Sequence, residues 1–267
     1  NLTGVLHWSF NGTTGEDAWR IRPVTEAFSY AFTPVNTRPA VPSVPGNLTV
    51  ASFNVLNYFL SIDTANTCAP TLNQDCRGAD SVQELERQRT KLLAALSAID
   101  ADVFGFMEME NTPSVEPLAD IVAGLTGYDY IDTGVIGTDA IRVGIIYKTA
   151  TVTPVGSYEI LDSSVEPRFE SSRNRPALAQ TIEEISTGAR ITVVVNHLKS
   201  KGSGCGSGDD DTTTGQGNCN GTRTEAAEAM ADWLATDPTN SGNPDVLIIG
   251  DLNSYAKEDP IVALETA

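Results

Sequence analysis

Val246-Leu-Ile-Ile-Gly-Asp-Leu-Asn-Ser254 is a short, β-branched apolar run that breaks at Gly250 and delivers Asp251 and Asn253. Preceded by Asn243-Pro244 and closed by glycine, it predicts a buried strand rather than a helix. Asp251 and Asn253 lie two residues apart, so an extended backbone turns both to one side. A carboxylate and an amide at a strand exit can make a turn, because both residue types bond to nearby backbone. They can equally make a metal or phosphate site, and the rest of the chain decides between the two.

The same arrangement recurs. Leu48-Thr-Val-Ala-Ser-Phe-Asn54 alternates as a strand and ends on Asn54, with Asn57 just beyond. Asp102-Val-Phe-Gly-Phe-Met107 exits on Glu108, followed by Glu110 and Asn111, and Arg190-Ile-Thr-Val-Val-Val195 exits on Asn196 and His197. One acidic exit is a turn; repeated exits point to convergence. Further strands are predicted at 128–131, 141–147, 152–160 and 177–182. Between them, Ser81-Val-Gln-Glu84 is a capping box opening a helix whose apolar face is Val82, Leu85, Leu92, Leu93, Leu96 and Ile99. Glu84, Arg87, Gln88 and Lys91 cover its other face and read as solvated. Pro113 opens a helix to Leu125, and Thr222-Arg-Thr-Glu225 opens one that packs Ala226, Ala229, Met230, Trp233 and Leu234 inward.

Residues 1–33 hold short predicted strands (4–10, 18–22 and 27–32), too few to close a barrel. They read as the β-rich remnant of a preceding domain. Residues 34–46, with four prolines, form an extended linker, and residues 47–267 form the main domain. No apolar run approaches a membrane span, and the N-terminus shows no basic, apolar signal sequence. The expectation is therefore that a signal was removed or that the chain starts inside a longer one.

Seventeen basic residues against thirty-five acidic ones give a formal charge of −18, which excludes a broad basic groove for nucleic acid. Phosphate chemistry would have to rest on metal ions and a few placed cations. The four cysteines fall as Cys68 with Cys76 and Cys205 with Cys219, each pair inside a polar loop. Two local disulfides and an oxidising, extracellular compartment follow. Zinc is the rival, disfavoured because no Cys-x-x-Cys spacing occurs and no histidine lies near either pair.

Only two histidines exist, His7 and His197. His7 reads as structural; His197, at a strand exit beside Asn196 and Lys199, is placed to move protons near neutrality. Glu108 and Asp251 suit magnesium or manganese, which keep their waters and take one or two carboxylates. Asn54 and Asn253 can orient water or phosphate without adding charge. In Ser171-Ser-Arg-Asn-Arg-Pro176, Arg173 and Arg175 could clamp a phosphate or neutralise local acidity. Asp209-Asp210-Asp211 makes calcium a further candidate, although three consecutive aspartates lack the spacing of a calcium loop and favour a solvated one.

Ser52-Phe-Asn-Val55, Phe106-Met-Glu-Met-Glu-Asn111, Arg173-Asn-Arg-Pro176, Asn196-His-Leu-Lys-Ser200 and Gly250-Asp-Leu-Asn253, in this order, resemble the endonuclease/exonuclease/phosphatase superfamily. The two cysteine loops further resemble its branch of large secreted microbial nucleases, in which an OB-like module often precedes the nuclease domain. The resemblance covers residues 47–267. It implies a DNase I-like fold, a four-layered α/β sandwich of two mixed β-sheets flanked by helices. It also implies metal binding by Asn54, Glu108 and Asp251, and water and phosphate orientation by Asp251 and Asn253. His197 would be general acid or transition-state stabiliser, and Arg173, Arg175 and Asn196 would contact phosphate. The substrate implied is extracellular DNA, with RNA second, cut with little sequence preference. A sphingomyelinase-like phospholipid phosphodiesterase is the nearest alternative, but the exposed aromatic hairpin expected of that branch is not evident from sequence. A non-catalytic domain with a degenerate site is the alternative from another class.

The family pattern ends in an Asp-His motif, and no histidine follows His197. The resemblance thus implies a C-terminally incomplete domain, cut short at both ends or lacking a catalytic half, and further domains of the same polypeptide. The expectation is little or no nuclease activity from these 267 residues alone; robust metal-dependent DNA cleavage by a verified preparation would overturn it.

Overall fold

The computed structural model describes residues 4–10, 17–24, 44–64, 67–211 and 215–267. They divide into two compact units, Asn1–Pro45 and Gly46–Ala267. In the first unit, β1 (Gly4–Phe10) and β2 (Asp17–Pro23) form an antiparallel hairpin. The third strand expected there, at 27–32, and most of the proline-rich linker lie outside the described residues. Trp8 and Trp19 pair across the hairpin edge to face, with ring centroids 5.1 Å apart, and both are exposed beside exposed Val5, Leu6 and Ile21. An exposed aromatic hairpin is therefore present, against the reading of the sequence, where scattered tryptophans gave no sign of cross-strand pairing.

The second unit is built on two four-stranded mixed sheets. In one, β3 (Val50–Tyr58) runs parallel to β4 (Val103–Glu110), which pairs antiparallel with β6 (Ile141–Lys148), flanked by β5 (Tyr128–Tyr130). In the other, β7 (Val152–Leu161), β8 (Arg175–Glu184) and β9 (Arg190–His197) form a meander to which β10 (Val246–Asp251) adds in parallel. Helices α1 (Val82–Ile99) and α2 (Pro117–Ala123) cover the first sheet, and α3 (Asn220–Leu234) with α4 (Asp259–Thr266) lies on the second. The layers read helix, sheet, sheet, helix.

Strand periodicity explains the layering. Phe104 and Phe106 of β4 face Leu92, Leu96, Leu118 and Ile121 of the helices, whereas Val103 and Met107 face the other sheet. Val193 and Val195 of β9 complete that inter-sheet core, and Val194 turns to Ala226, Met230 and Trp233 of α3. Strands buried on both faces need continuous apolar runs, which is what the sequence supplies. Gly105 lies where the sheets meet: a Cβ there would stand 2.5 Å from Ile249 Cδ1 and 2.7 Å from Val195 Cγ2.

Several boundaries differ from the sequence reading. Helix α2 begins at Pro117 rather than Pro113, because the Glu116 carboxylate caps it by accepting from Leu118 N at 2.9 Å. Helix α3 begins two residues before Thr222, because Asp209, across the loop, accepts from the N–H groups of Gly221 (2.6 Å) and Thr222 (2.9 Å). Val82 and Ile99, the first and last residues of α1, are exposed rather than apolar-face residues. Strand β10 is not buried: it is the edge of its sheet, half-exposed along most of its length. Helix α4 had no counterpart in the sequence reading.

Replacing Gly105 by alanine should overpack the inter-sheet core at a cost of roughly 1–3 kcal/mol, measured by urea unfolding. Combining it with Ile249→Ala should cost less than the sum of the two single losses; strict additivity would show that the sheets do not close on this residue.

Candidate active site

Four strand exits meet at one edge of the sandwich. The pairing of β3 with β4 shifts register between Asn54 and Tyr58, and that of β4 with β6 shifts between Phe106 and Met109. These irregularities re-aim side chains at the rim. They carry backbone strain, since Leu56 (φ 55°), Asn57 (φ 54°) and Glu108 (φ 67°) adopt the left-handed conformation without being glycine. On the other sheet, Gly250 has φ 128°, and a Cβ there would stand 2.1 Å from the Asn196 carbonyl oxygen, so only glycine lets β10 approach β9 at that register.

The result is a cluster of Asn54, Glu108, His197 and Asp251. Asn54 Nδ2 donates to Glu108 Oε1 at 3.0 Å and to Asp251 Oδ2 at 3.3 Å, joining the two sheets. Asn54 Oδ1 accepts from Leu56 N, and the second Glu108 oxygen accepts from Asn57 N at 3.1 Å. His197 Nε2 lies 4.0 Å from Glu108 Oε1. Asn253 donates its backbone N–H to Asp251 Oδ1 (2.9 Å) and its side-chain amide to the Leu198 carbonyl (2.9 Å), so it fixes the Asp251 carboxylate and the turn after β9 together. A cavity of about 420 Å³ opens on the β10 side of Asp251, lined by Lys201, Asp251, Asn253 and Tyr255 and not by Asn54, Glu108 or His197.

His197 is buried, and its Nδ1 has no hydrogen-bond partner among the described residues. Burial first, then the Arg175 guanidinium, push it down to about 4, while Asp251, Glu108 and Asp139 pull the other way. Arg175 faces His197 in the β8–β9 register and pairs with Asp139 at 3.2 Å, whereas Arg173 is more exposed and leans on Glu170 at 3.6 Å. Both arginines line a polar cavity of about 200 Å³ with Gln74, Asp139 and Asn174. Of the two, Arg175 is the one whose charge reaches the cluster.

Asn196 is not at the rim. It is fully buried, its Nδ2 donating to Ile249 O at 2.6 Å, so the expected phosphate contact gives way to a clamp between β9 and β10. Period-two alternation accounts for this, because residue 196 must point away from residue 197. The sequence reading missed Asp139, which bridges Arg175 and Arg77 (3.4 Å), and Gln88, whose Nε2 reaches the carbonyls of Val55 and Leu56 and holds the bulge after Asn54. Asp139 lies in a loop with no strand-exit pattern. Gln88 was visible only as part of a polar helix face.

A hard divalent cation fits this donor set. Glu108 and Asp251 face each other across the Asn54 amide N–H₂, the place a positive charge would take, and both offer carboxylate oxygens; Asn54 Oδ1, held by Leu56 N, would join them with the amide turned over, and the His197 ring nitrogen lies beside them. Both cysteine pairs are disulfides, Cys68–Cys76 and Cys205–Cys219, which removes the zinc rival at those loops. The aspartate run is taken up by backbone N–H groups: Asp209 by Gly221 and Thr222, Asp210 by Cys205 and Gly206, Asp211 by Gly215 and Gly217. Loop architecture accounts for those carboxylates.

The profile of the Endonuclease/Exonuclease/phosphatase family matches residues 51–266. No curated protein matches the chain significantly. Among solved structures, a mannosyl-6-phosphatase from Bacteroides thetaiotaomicron VPI-5482 is similar at a TM-score of 0.53 and 18% identity, over 82% of this chain and 70% of that one. An endonuclease/exonuclease/phosphatase family protein from Bacteroides thetaiotaomicron gives 0.53 and 18%, over 82% and 68%. A functionally unknown conserved protein from Enterococcus faecalis V583 gives 0.52 and 14%, over 82% and 72%. At these identities the likeness is one of fold.

The histidine predicts a pH dependence. His197 is held neutral in the folded state down to about 4, while the unfolded chain takes up the proton near 6.5. Below about 6.5 the unfolded state therefore binds more protons, and stability falls as pH drops towards 4. In metal-free protein the urea midpoint should decline over this window, and His197→Gln should remove part of the decline. Equal slopes in wild type and variant would contradict the assignment.

Proposed function

Since the chain belongs to the endonuclease/exonuclease/phosphatase family of phosphoester hydrolases, we propose that it is a secreted, divalent-metal-dependent phosphodiesterase that cuts extracellular DNA, with RNA second, at little sequence preference. The observation that carries this is Asn54 bonded to both Glu108 and Asp251 beside buried His197. Asn54, Glu108 and Asp251 would hold magnesium or manganese, which when bound supplies Lewis acidity to a phosphoryl oxygen. Asp251, with one oxygen fixed by Asn253 N–H, orients the attacking water and takes its proton. His197, neutral at pH 7 in the free protein, would donate a ring N–H to a phosphoryl oxygen; the charge of the bound phosphate raises its basicity, so that it takes a proton from solvent before the P–O bond breaks and passes that proton to the leaving oxygen. Arg175 adds positive charge on the same side. Two disulfides are compatible with an oxidising compartment, and no described helix is long and apolar enough to cross a membrane.

A phospholipid phosphodiesterase is the second reading, favoured by one observation, the exposed Trp8–Trp19 hairpin, since tryptophans of this kind suit a membrane interface.

The assay uses excess protein. Supercoiled plasmid with magnesium or manganese should be nicked, EDTA should stop it, and Glu108→Gln should lower it by more than the roughly 10–100-fold typical of outer-shell metal partners. Calorimetric titration of manganese should show one site in wild type, weakened in Glu108→Gln. Cleavage of a choline phospholipid but not of DNA or RNA would install the second reading; no manganese binding and no ester hydrolysis would remove both.

A further inference from the structure

We propose that Arg77, Arg87 and Lys91, with Leu56 at their edge, form a surface that binds the phosphodiester backbone of a nucleic-acid strand to one side of the cleaved phosphate. This rests on the phosphodiesterase reading above. The three cations line one open cavity of about 440 Å³ together with Leu56, Asn57 and Gln88. In a chain with seventeen basic residues and a formal charge of −18, such a grouping needs a reason. Arg87 and Lys91 stand one helical turn apart on the exposed face of α1, an arrangement of like charges that weakens a helix, and among the described residues neither makes an ion pair. Arg77 leaves the Cys68–Cys76 loop and pairs with Asp139 at 3.4 Å while keeping about a third of its side chain exposed (34%). The acidic lining residue, Glu84, has its carboxylate engaged by Asp80 N at 3.2 Å.

The surface is continuous with the active site. Asn57 lines the cavity and donates its N–H to Glu108 Oε2, and Gln88, next to Arg87 in sequence, holds the Leu56 carbonyl at 3.0 Å. Helix α1 is thereby registered to the metal-ligand candidates, so its cations stand at a fixed offset from the reacting phosphate. Leu56 adds a contact of another kind. It is left-handed at φ 55° and 75% exposed, its backbone held by Gln88 so that the side chain stands out at the edge of the cavity. An aliphatic side chain held out beside phosphate-binding cations suits a sugar or base edge. The occupant that fits charge, apolar edge and location together is a polynucleotide rather than a small phosphate ester.

The test is binding of a short fluorescein-labelled DNA duplex to the full chain in EDTA, followed by anisotropy over a salt series. Wild type should bind with a steep salt dependence. Arg87→Gln/Lys91→Gln should weaken binding at low salt by about tenfold and reduce the slope of log K against log salt by about 2, as expected for two lost phosphate contacts. Leu56→Asn should weaken binding several-fold with the slope kept. Circular dichroism confirms that these surface variants fold, and bis(p-nitrophenyl) phosphate hydrolysis reports on the catalytic reading separately. If no ester is hydrolysed but the slope falls in the double variant, the surface stands while the catalytic reading falls. If hydrolysis is normal and the double variant binds like wild type, or if wild type shows no salt-dependent binding, the surface is refuted.

Discussion

The two sheets can close on each other because residue 105 has no side chain. Ile249 and Val195 of the second sheet occupy the volume that a Cβ on Gly105 would need, so β4 packs directly beneath β9 and β10. Each sheet contributes one parallel pair, β3 with β4 and β9 with β10, and a parallel pair ends both strands at the same edge. Stacking the two pairs face to face then places four carboxyl ends together, where open α/β sheets gather their ligands. The Asn54–Asp251 hydrogen bond, between residues 197 apart in sequence, is the measure of that closure. The site is a consequence of sheet packing before it is a consequence of any one motif.

The backbone of the site is strained, and the surrounding structure fixes it in place. Left-handed Leu56, Asn57 and Glu108 each cost on the order of 1–3 kcal/mol. Side chains hold them: Gln88 on the carbonyls of Val55 and Leu56, and Glu108 on the Asn57 N–H. The same bonds that tolerate the strain aim Asn54 and Glu108 at each other. Removing the bulges would restore an ordinary ladder and turn those groups away from Asp251.

Much of this was legible in the sequence, and the failures have physical causes. Apolar or alternating runs marked β3, β4, β9 and β10, and the polar residues at their exits marked Asn54, Glu108, His197 and Asp251 as candidates that the fold brings into one cluster. Position in the sheet was not legible: β10 is as apolar as a central strand, yet lies at an edge. Long-range caps were also invisible, since Asp209 starts α3 from across a loop. The choice between Arg173 and Arg175 needed the β8–β9 register, which pairs Arg175 with His197. Asn196 could have been read correctly from alternation alone, but the strand-exit pattern treated neighbouring residues as equivalent.

An acidic chain that keeps two carboxylates close together must supply positive potential locally without neutralising it. Arg223 brings one such charge to the turn that follows Asn253. It is fully buried, and its guanidinium bonds the carbonyls of Lys199, Gln216 and Asn218 and the Ser254 hydroxyl, with no carboxylate in ion-pair contact among the described residues. Burial lowers its proton affinity from the usual arginine value, but an arginine remains charged. The carboxylates that act on it are Glu258 and Asp209, and through the Ser254 hydroxyl it anchors the turn that follows Asn253. Arg175 acts similarly from the side, sharing Asp139 with Arg77 and so coupling the Cys68–Cys76 loop to the histidine. With the net charge so negative, the fold holds a few cations at particular points near the carboxylates, and Arg175, facing His197, is the one whose charge reaches the histidine.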